Sequence, residues 1–127
     1  MIFGIGTDIV EINRIQKAMV GSERFAARIL TEFEMAEYAD SRKQERYLAK
    51  KFAAKEALVK AMGTGIGSGY SWQMVQIEHT SLGKPYFVFF GAVKDFLADQ
   101  NVTNCMLSIS DELSYATAMV VLEANSA

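Results

Sequence analysis

Apolar residues recur along this chain at two spacings, one typical of strands and the other typical of helices. Cys105, Leu107 and Ile109 occupy every second position, and this period of two predicts a strand. In the longest helical segment the apolar residues form one stripe, made up of Leu48, Phe52, Leu58, Val59 and Met62. The order of such segments, β-α-α-α-β-β-α-β-β, predicts an α+β fold with helices packed on a largely antiparallel sheet.

Short local signals set the ends of these segments. Thr31–Glu34 (TEFE) and Ser41–Gln44 (SRKQ) both have the form of a capping box, which predicts that a short helix begins at the first and the longest helix at the second. Gly63 predicts the end of the longest helix. The predicted strands cover residues 2–10, 72–80, 86–90, 102–110 and 115–123. The predicted helices cover residues 12–30 (broken near Gly21–Ser22), 31–39, 41–62 and 92–99.

The composition favours a single compact domain, residues 1–127. Half of the chain is apolar (50%) and the net charge is only −2, which excludes a disordered protein. The longest apolar run, YFVFFGAV from Tyr86, is too short to span a bilayer, and no secretory signal is visible. Cys105 is the one cysteine, which excludes a disulfide framework and a thiolate metal cluster. We therefore expect a cytoplasmic protein without a membrane segment.

Charge is segregated along the chain although the total is small. Residues 12–30 carry a net charge of +3 and residues 42–60 a net charge of +5, so the rest of the chain sums to −10. Two interpretations remain open: ordinary solvated faces of helices, or a basic surface for an anionic partner. The overall excess of acidic over basic residues argues against a nucleic acid as that partner.

Two acidic residues lie where the apolar pattern predicts burial. Asp8 interrupts the first strand, and a carboxylate there is costly unless it is paired or binds something; alternatively, it is a strand-end or helix-capping residue. Glu56 borders the apolar stripe, inside which Lys55 falls, and it could form a structural ion pair with Lys60, four residues further on. If Asp8 and Glu56 meet instead, two carboxylates could hold Mg²⁺ together with phosphate oxygens of a substrate.

Four segments then give the chain a resemblance to a known family. GIGTDIVEINRI, FAAKEALVKAMGTGI, GKPYF and SISDELSYATAMVVLE occur between Gly4 and Glu123 in an order that resembles the holo-acyl-carrier-protein synthases, small bacterial 4′-phosphopantetheinyl transferases. The resemblance implies Mg²⁺-dependent transfer of the phosphopantetheine arm of coenzyme A to a serine of acyl carrier protein, with release of 3′,5′-ADP, in fatty acid biosynthesis. It also implies a compact α+β homotrimer whose active sites lie between neighbouring subunits.

The resemblance assigns roles to particular residues. Asp8 and Glu56 would hold Mg²⁺, and Lys60, helped by Lys51 or Lys55, would contact the pyrophosphate or the attacking hydroxyl. The walls of the coenzyme A site would be formed by Gly63, Thr64, Gly65, Ile66, Gly83, Lys84 and Pro85. The basic face that docks the acidic carrier would be formed by Arg14, Arg24 and Arg28.

One position departs from the family pattern, and one alternative function stays open. Many members have His where this chain has Asp111, so the role of Asp111 is not given by the resemblance. The alternative is a non-catalytic module that binds coenzyme A or the carrier, against which the intact Asp8, Glu56 and Lys60 argue.

Overall fold

A computed structural model describes residues 1–126 and has the α+β architecture that the sequence predicts. The five strands are β1 (Ile2–Glu11), β2 (Val75–His79), β3 (Pro85–Phe89), β4 (Val102–Asp111) and β5 (Tyr115–Ala124). The five helices are α1 (Ile12–Gly21), α2 (Phe25–Ile29), α3 (Glu32–Asp40), α4 (Gln44–Met62) and α5 (Gly91–Asp99). Within residues 1–126, no helix has both the length and the apolar character needed to cross a membrane.

The strands form two antiparallel sheets and not one. A three-stranded sheet has the order β1-β5-β4, and a separate hairpin pairs β2 with β3. Residues 72–74, expected at the start of β2, form a single 3₁₀ turn instead. Apolar runs, alternation and flanking turn signals predicted all five strands, but such local signals carry no information on which strand pairs with which.

The helix ends confirm some of the local signals and contradict one. Thr31 forms the predicted capping box with Glu34, and Gly63 ends α4 in the left-handed conformation at φ 80°. The second capping box is wrong: α4 begins after Lys43, which makes no side-chain cap, and the hydroxyl of Ser41 accepts a hydrogen bond from the Lys43 amide. The helix expected at 12–30 is two helices, α1 and α2, so four helices precede β2 instead of three.

Helix α4 lies against the inner face of the three-stranded sheet at unusually short range. A Cβ on Gly6 would stand 1.9 Å from the carbonyl oxygen of Ala57, and one on Gly4 would stand 2.0 Å from that of Ala61. Only glycine therefore allows the backbone of β1 to approach the helix this closely. Because Asp8 is the next residue on this face of β1, the same approach brings Asp8 to α4.

We expect Gly6→Ala to destabilise the protein by about 2 kcal/mol or more, because the new methyl group overlaps a helix backbone that cannot yield without moving α4. The measurement is the free energy of unfolding in urea. Gly21→Ala is the matched control, since a Cβ there meets no atom within 4 Å. If the two variants lose the same stability, the close approach of β1 and α4 is not a constraint on the fold.

Candidate active site

Asp8 lies inside β1, three residues before its end, with its side chain directed toward α4. Lys60 donates hydrogen bonds from Nζ to Asp8 Oδ1 at 3.1 Å and to the carbonyl oxygen of Thr7 at 3.0 Å. The side chain of Asp8 is 14% exposed, whereas that of Lys60 is 54% exposed. The interpretation of Asp8 as a helix cap is therefore wrong; it is a shielded carboxylate paired with a solvated amine.

Glu56 lies on the same side of α4 and is electrostatically coupled to Asp8. Burial is the main cause that raises the pKa of Glu56, the negative charge of Asp8 raises it further, and Lys60 opposes both effects. The structural ion pair between Glu56 and Lys60 is not formed, because the amine of Lys60 contacts Asp8 instead. Two acidic side chains and one basic side chain thus converge from β1 and α4, an arrangement that the family resemblance implied and that the spacing of the residues alone did not show.

A cavity of about 620 Å³ opens beside this group of side chains. Asp8 and Lys60 line it together with residues of all three strands of the larger sheet, including Ser108, Ser110 and Thr117. The predicted coenzyme A walls do not line it. The loop Gly63–Ile66 follows α4, and the turn Gly83–Pro85 joins β2 to β3. Within a single chain, these predicted walls therefore lie outside the cavity that Asp8 and Lys60 line.

The oxygen atoms of this site suit a hard divalent cation that takes some of its ligands from the protein and the others from a substrate. Within residues 1–126 there is no group of three or more His, Cys, Asp or Glu side chains that could hold a metal ion. Mg²⁺, however, is commonly held by one or two carboxylates, with waters and substrate phosphates as its other ligands. Asp8 and Glu56 supply such a pair, and their mutual repulsion, visible in the raised pKa of Glu56, would be relieved by a cation.

Lys55 has a structural role, which contradicts its expected contact with phosphate. Its side chain is fully buried, and Nζ donates to Glu34 Oε1 at 2.6 Å and to the carbonyl oxygens of Ile29 at 2.7 Å and Trp72 at 3.2 Å. An ammonium group has three N–H donors, and all three are used here. Lys55 is therefore an anchor in the core, and the prediction that it binds substrate is wrong.

Lys51 is placed on a different side of α4 from Lys60. It is nine residues before Lys60, which is half a turn away around the helix axis, and its Nζ lies 4.7 Å from the centre of the Tyr47 ring. Burial lowers the pKa of Lys51 to about 8, although the charges of Glu34 and Glu37 oppose the shift. Within one chain Lys51 does not line the Asp8 cavity, so its role at a phosphate stays a prediction.

The three arginines of the expected docking face are exposed. Arg14 lies in the first turn of α1, Arg24 directly precedes α2, and Arg28 lies within α2. None of the three makes an ion pair with another of residues 1–126. Their positive charges are therefore free to act on an external partner.

The sequence did not reveal the ion pairs of two residues, Glu34 and Arg46. Glu34 was recognised only as a capping residue, yet it pairs with Lys55; a lysine inside an apolar stripe was the signal that an acidic partner must exist. Arg46 forms an ion pair at 2.8 Å with Asp111, the residue that departs from the family pattern. No local spacing could have revealed a pair that is 65 residues apart.

Comparisons with known proteins define the class. Residues 4–118 match the family model described as the 4′-phosphopantetheinyl transferase superfamily. The chain is 49% identical over 124 residues to the holo-[acyl-carrier-protein] synthase of Vibrio cholerae, a match that covers 97% of this chain and 98% of that one. These matches identify a transferase of the phosphopantetheinyl type.

Solved structures narrow the class further. The holo-[acyl-carrier-protein] synthase from Neisseria meningitidis superposes with a TM-score of 0.92 at 45% identity, covering 97% of this chain and 99% of that one. The holo-(acyl-carrier-protein) synthase from Bacillus anthracis, solved in complex with CoA (3′,5′-ADP), gives a TM-score of 0.82 at 37% identity, covering 98% and 99%. The chain therefore belongs to the holo-acyl-carrier-protein synthase family, a family of enzymes.

We expect Lys55→Met to destabilise the protein far more than Lys60→Met does, although both replace a lysine of the same helix. Lys55→Met leaves the charge of Glu34 buried and unpaired, which costs about 3–5 kcal/mol. Lys60→Met removes a largely exposed ion pair, which costs no more than about 1 kcal/mol. Urea unfolding at neutral pH measures both.

The double variant Lys55→Met with Glu34→Gln is the control for this assignment. It removes both buried charges, so it should recover part of the stability that Lys55→Met loses. An equal loss of stability in Lys55→Met and Lys60→Met would show that Lys55 is not an anchor of the core.

Proposed function

We propose that this chain transfers the 4′-phosphopantetheine group of coenzyme A to a serine of apo acyl carrier protein, in a Mg²⁺-dependent reaction that releases 3′,5′-ADP. The observation that carries the proposal is the convergence of Asp8, Glu56 and Lys60 beside one cavity, in a chain that belongs to the synthase family. The Bacillus anthracis relative, solved in complex with CoA (3′,5′-ADP), supports coenzyme A as the substrate. We place the reaction in the cytoplasm, in the supply of carriers for fatty acid biosynthesis.

Asp8 and Glu56 are the residues that would hold the cation. When bound, Mg²⁺ supplies positive charge that neutralises the pyrophosphate of coenzyme A and favours attack at phosphorus. Asp8 contributes a carboxylate fixed on a strand, and Glu56 contributes one fixed on a helix, so neither depends on a flexible loop. Such rigid placement keeps the ligands oriented without reorganisation during the reaction.

Lys60 is suited to act on the phosphate oxygens. Its amine is partly exposed to solvent and in direct contact with Asp8, so it can donate to equatorial or leaving-group oxygens while the carrier serine attacks the β-phosphorus. The P–O bond to 3′,5′-ADP then breaks, and the phosphopantetheine remains on the serine oxygen. The serine proton must also leave, and Glu56 is a carboxylate of the site that could accept it.

Carrier docking is assigned to the exposed arginines of α1 and α2. Arg14, Arg24 and Arg28 present positive charge without an internal partner, which is the charge pattern that an acidic carrier complements. Because these charges are exposed, their attraction for the carrier weakens as salt is added.

We also propose that three copies of the chain assemble through the outer face of the three-stranded sheet. Helix α4 covers the inner face, while the outer face leaves Ile5, Ile9, Met106 and Met119 between 43% and 64% exposed. Apolar side chains grouped on one sheet face are typical of an interface. A neighbouring copy on this face could bring its Gly83 turn to the Asp8 cavity, which would account for coenzyme A walls that one chain does not assemble.

We expect Asp8→Asn and Glu56→Gln to lower transfer by about 100-fold or more, since each removes one fixed charge from the reacting centre. The measurement is mass spectrometry of apo acyl carrier protein incubated with coenzyme A and Mg²⁺, in which the carrier gains the phosphopantetheine mass. Asp95→Asn on α5 is the matched control, because it removes an exposed carboxylate far from this site in the sequence and outside its cavity. Wild-type turnover in either site variant would contradict the assignment of the acidic pair.

The assembly makes a separate prediction. Met119→Glu adds a charge to the centre of the outer sheet face and should convert the assembly to smaller species, because an unpaired charge is costly in an apolar interface. Sedimentation equilibrium measures the mass. Phe33→Glu, on an exposed side chain of α3, is the control and should leave the mass unchanged. A wild-type protein that is monomeric and fully active would refute the trimer.

A further inference from the structure

Arg46 makes the most extensive set of contacts of any arginine in the described chain, and none of them serves the site described above. From α4 it reaches the turn that joins β4 to β5, residues Glu112–Ser114, here called the β4–β5 turn. Nη1 donates to Asp111 Oδ2 at 2.8 Å and to the carbonyl oxygen of Glu112 at 2.6 Å, and Nη2 donates to the carbonyl oxygen of Leu113 at 3.1 Å. A planar guanidinium can bind three acceptors of such a turn at once, which an ammonium cannot do in the same geometry.

The β4–β5 turn in turn holds the start of α1. The carbonyl oxygen of Ser114 accepts a hydrogen bond from the amide of Ile12, the first residue of α1, at 2.9 Å. Glu11, which precedes the helix, makes no side-chain cap. The first amides of a helix have no partner inside the helix, so this bond from the turn replaces a conventional cap.

These two sets of contacts connect Arg46 to the orientation of Arg14. Helix α1 has only ten residues, a length at which a helix is marginal without tertiary support. Arg14 is two residues after Ile12 and therefore lies in the first turn, which is the part of the helix that the turn contact supports. If the first turn is ordered, Arg14 already points in one direction before the carrier binds. If the first turn is frayed, it must become ordered on binding, and this ordering lowers the affinity for the carrier.

We propose that Arg46 is a positioning residue for carrier docking: through Asp111 and the β4–β5 turn it fixes the start of α1, and thus Arg14. The inference rests on the proposed function, because it assumes that α1 docks the carrier. It also gives a role to Asp111, which serves as the internal partner of Arg46.

Steady-state kinetics of carrier modification test the proposal with Arg46→Gln, Arg46→Lys and Asp111→Asn. The first two variants lose the fork of hydrogen bonds, and we expect the KM for apo carrier to rise about fivefold, the factor that corresponds to one lost hydrogen bond. Their kcat and their KM for coenzyme A should stay within about twofold of wild type, which is below the effect of a single hydrogen bond. Asp111→Asn keeps an acceptor for Arg46, so it should change the KM for the carrier less than Arg46→Lys does.

Three comparisons separate positioning from loss of charge and from loss of stability. Arg46→Lys keeps the positive charge, so a KM for the carrier equal to that of wild type would show that only charge matters and would overturn the proposal. Lys94→Gln, on α5, removes a charge outside these contacts and should leave the KM for the carrier unchanged. Amide hydrogen exchange at Ile12 should become about tenfold faster in both Arg46 variants, because fraying then needs less free energy, while exchange in α4 is retained.

The outcomes distinguish this proposal from the one on which it rests. A wild-type protein that leaves the carrier unmodified refutes the proposed function. An active wild-type protein whose Arg46 variants show unchanged Ile12 exchange, or equal changes in both KM values and kcat, refutes the positioning role alone.

Discussion

The buried pair of Lys55 and Glu34 is the interaction on which the rest of the structure depends. Lys55 reaches the carbonyl oxygens of Ile29 and Trp72 as well as Glu34, and the carboxylate of Glu34 also accepts from the amides of Thr31 and Ile77. Two helices, a 3₁₀ turn and a strand are thereby tied to α4. Burial lowers the pKa of Lys55, and Glu34 opposes the shift, so each charge is tolerated only because the other is present. Since Glu56 is the next residue, the pair also fixes the rotation of α4 that directs Glu56 toward Asp8.

Rotation alone would not assemble the site, because the distance between α4 and β1 matters equally. Gly4 and Gly6 set that distance: with no Cβ, the strand approaches carbonyl oxygens of α4 to a separation that any other residue would prevent. One constraint acts through charge inside the core and the other through the absence of a side chain. Together they hold Asp8, Glu56 and Lys60 on a strand and a helix that are fixed relative to each other.

The sequence predicted the features that depend on local pattern, and it missed the contacts between residues that are distant in the sequence. All five strands were predicted from apolar runs, alternation and flanking turn signals, and Asp8 and Glu56 were noted because each is an acid at a position where the pattern predicts burial. The partner of Lys55 could not be found this way, since Glu34 already had a local role as a capping residue. Nor could alternation divide the strands into two sheets, because both faces of a hairpin such as β2–β3 are partly buried whichever sheet it joins. The Ser41 signal failed for a related reason: its hydroxyl bonds to the nearby Lys43 amide, a local turn that competes with helix capping.

Lys55 and Lys60 of α4 show how one helix carries both a lysine that stabilises the core and a lysine proposed to bind a substrate. All three N–H donors of Lys55 bond to acceptors inside the core, so its amine cannot move away without leaving the buried carboxylate of Glu34 unpaired. Lys60 pairs with Asp8 at the surface, and an exposed ion pair contributes at most about 1 kcal/mol, so its amine can exchange Asp8 for another anion at little cost. The proposed reaction, which would bring a cation and a diphosphate to this site, needs such a group. The amine neutralises Asp8 here, and it would be released to a phosphate oxygen if a cation took its place beside Asp8. A separation of five positions along α4 is enough to direct one side chain into the core and the other into solvent.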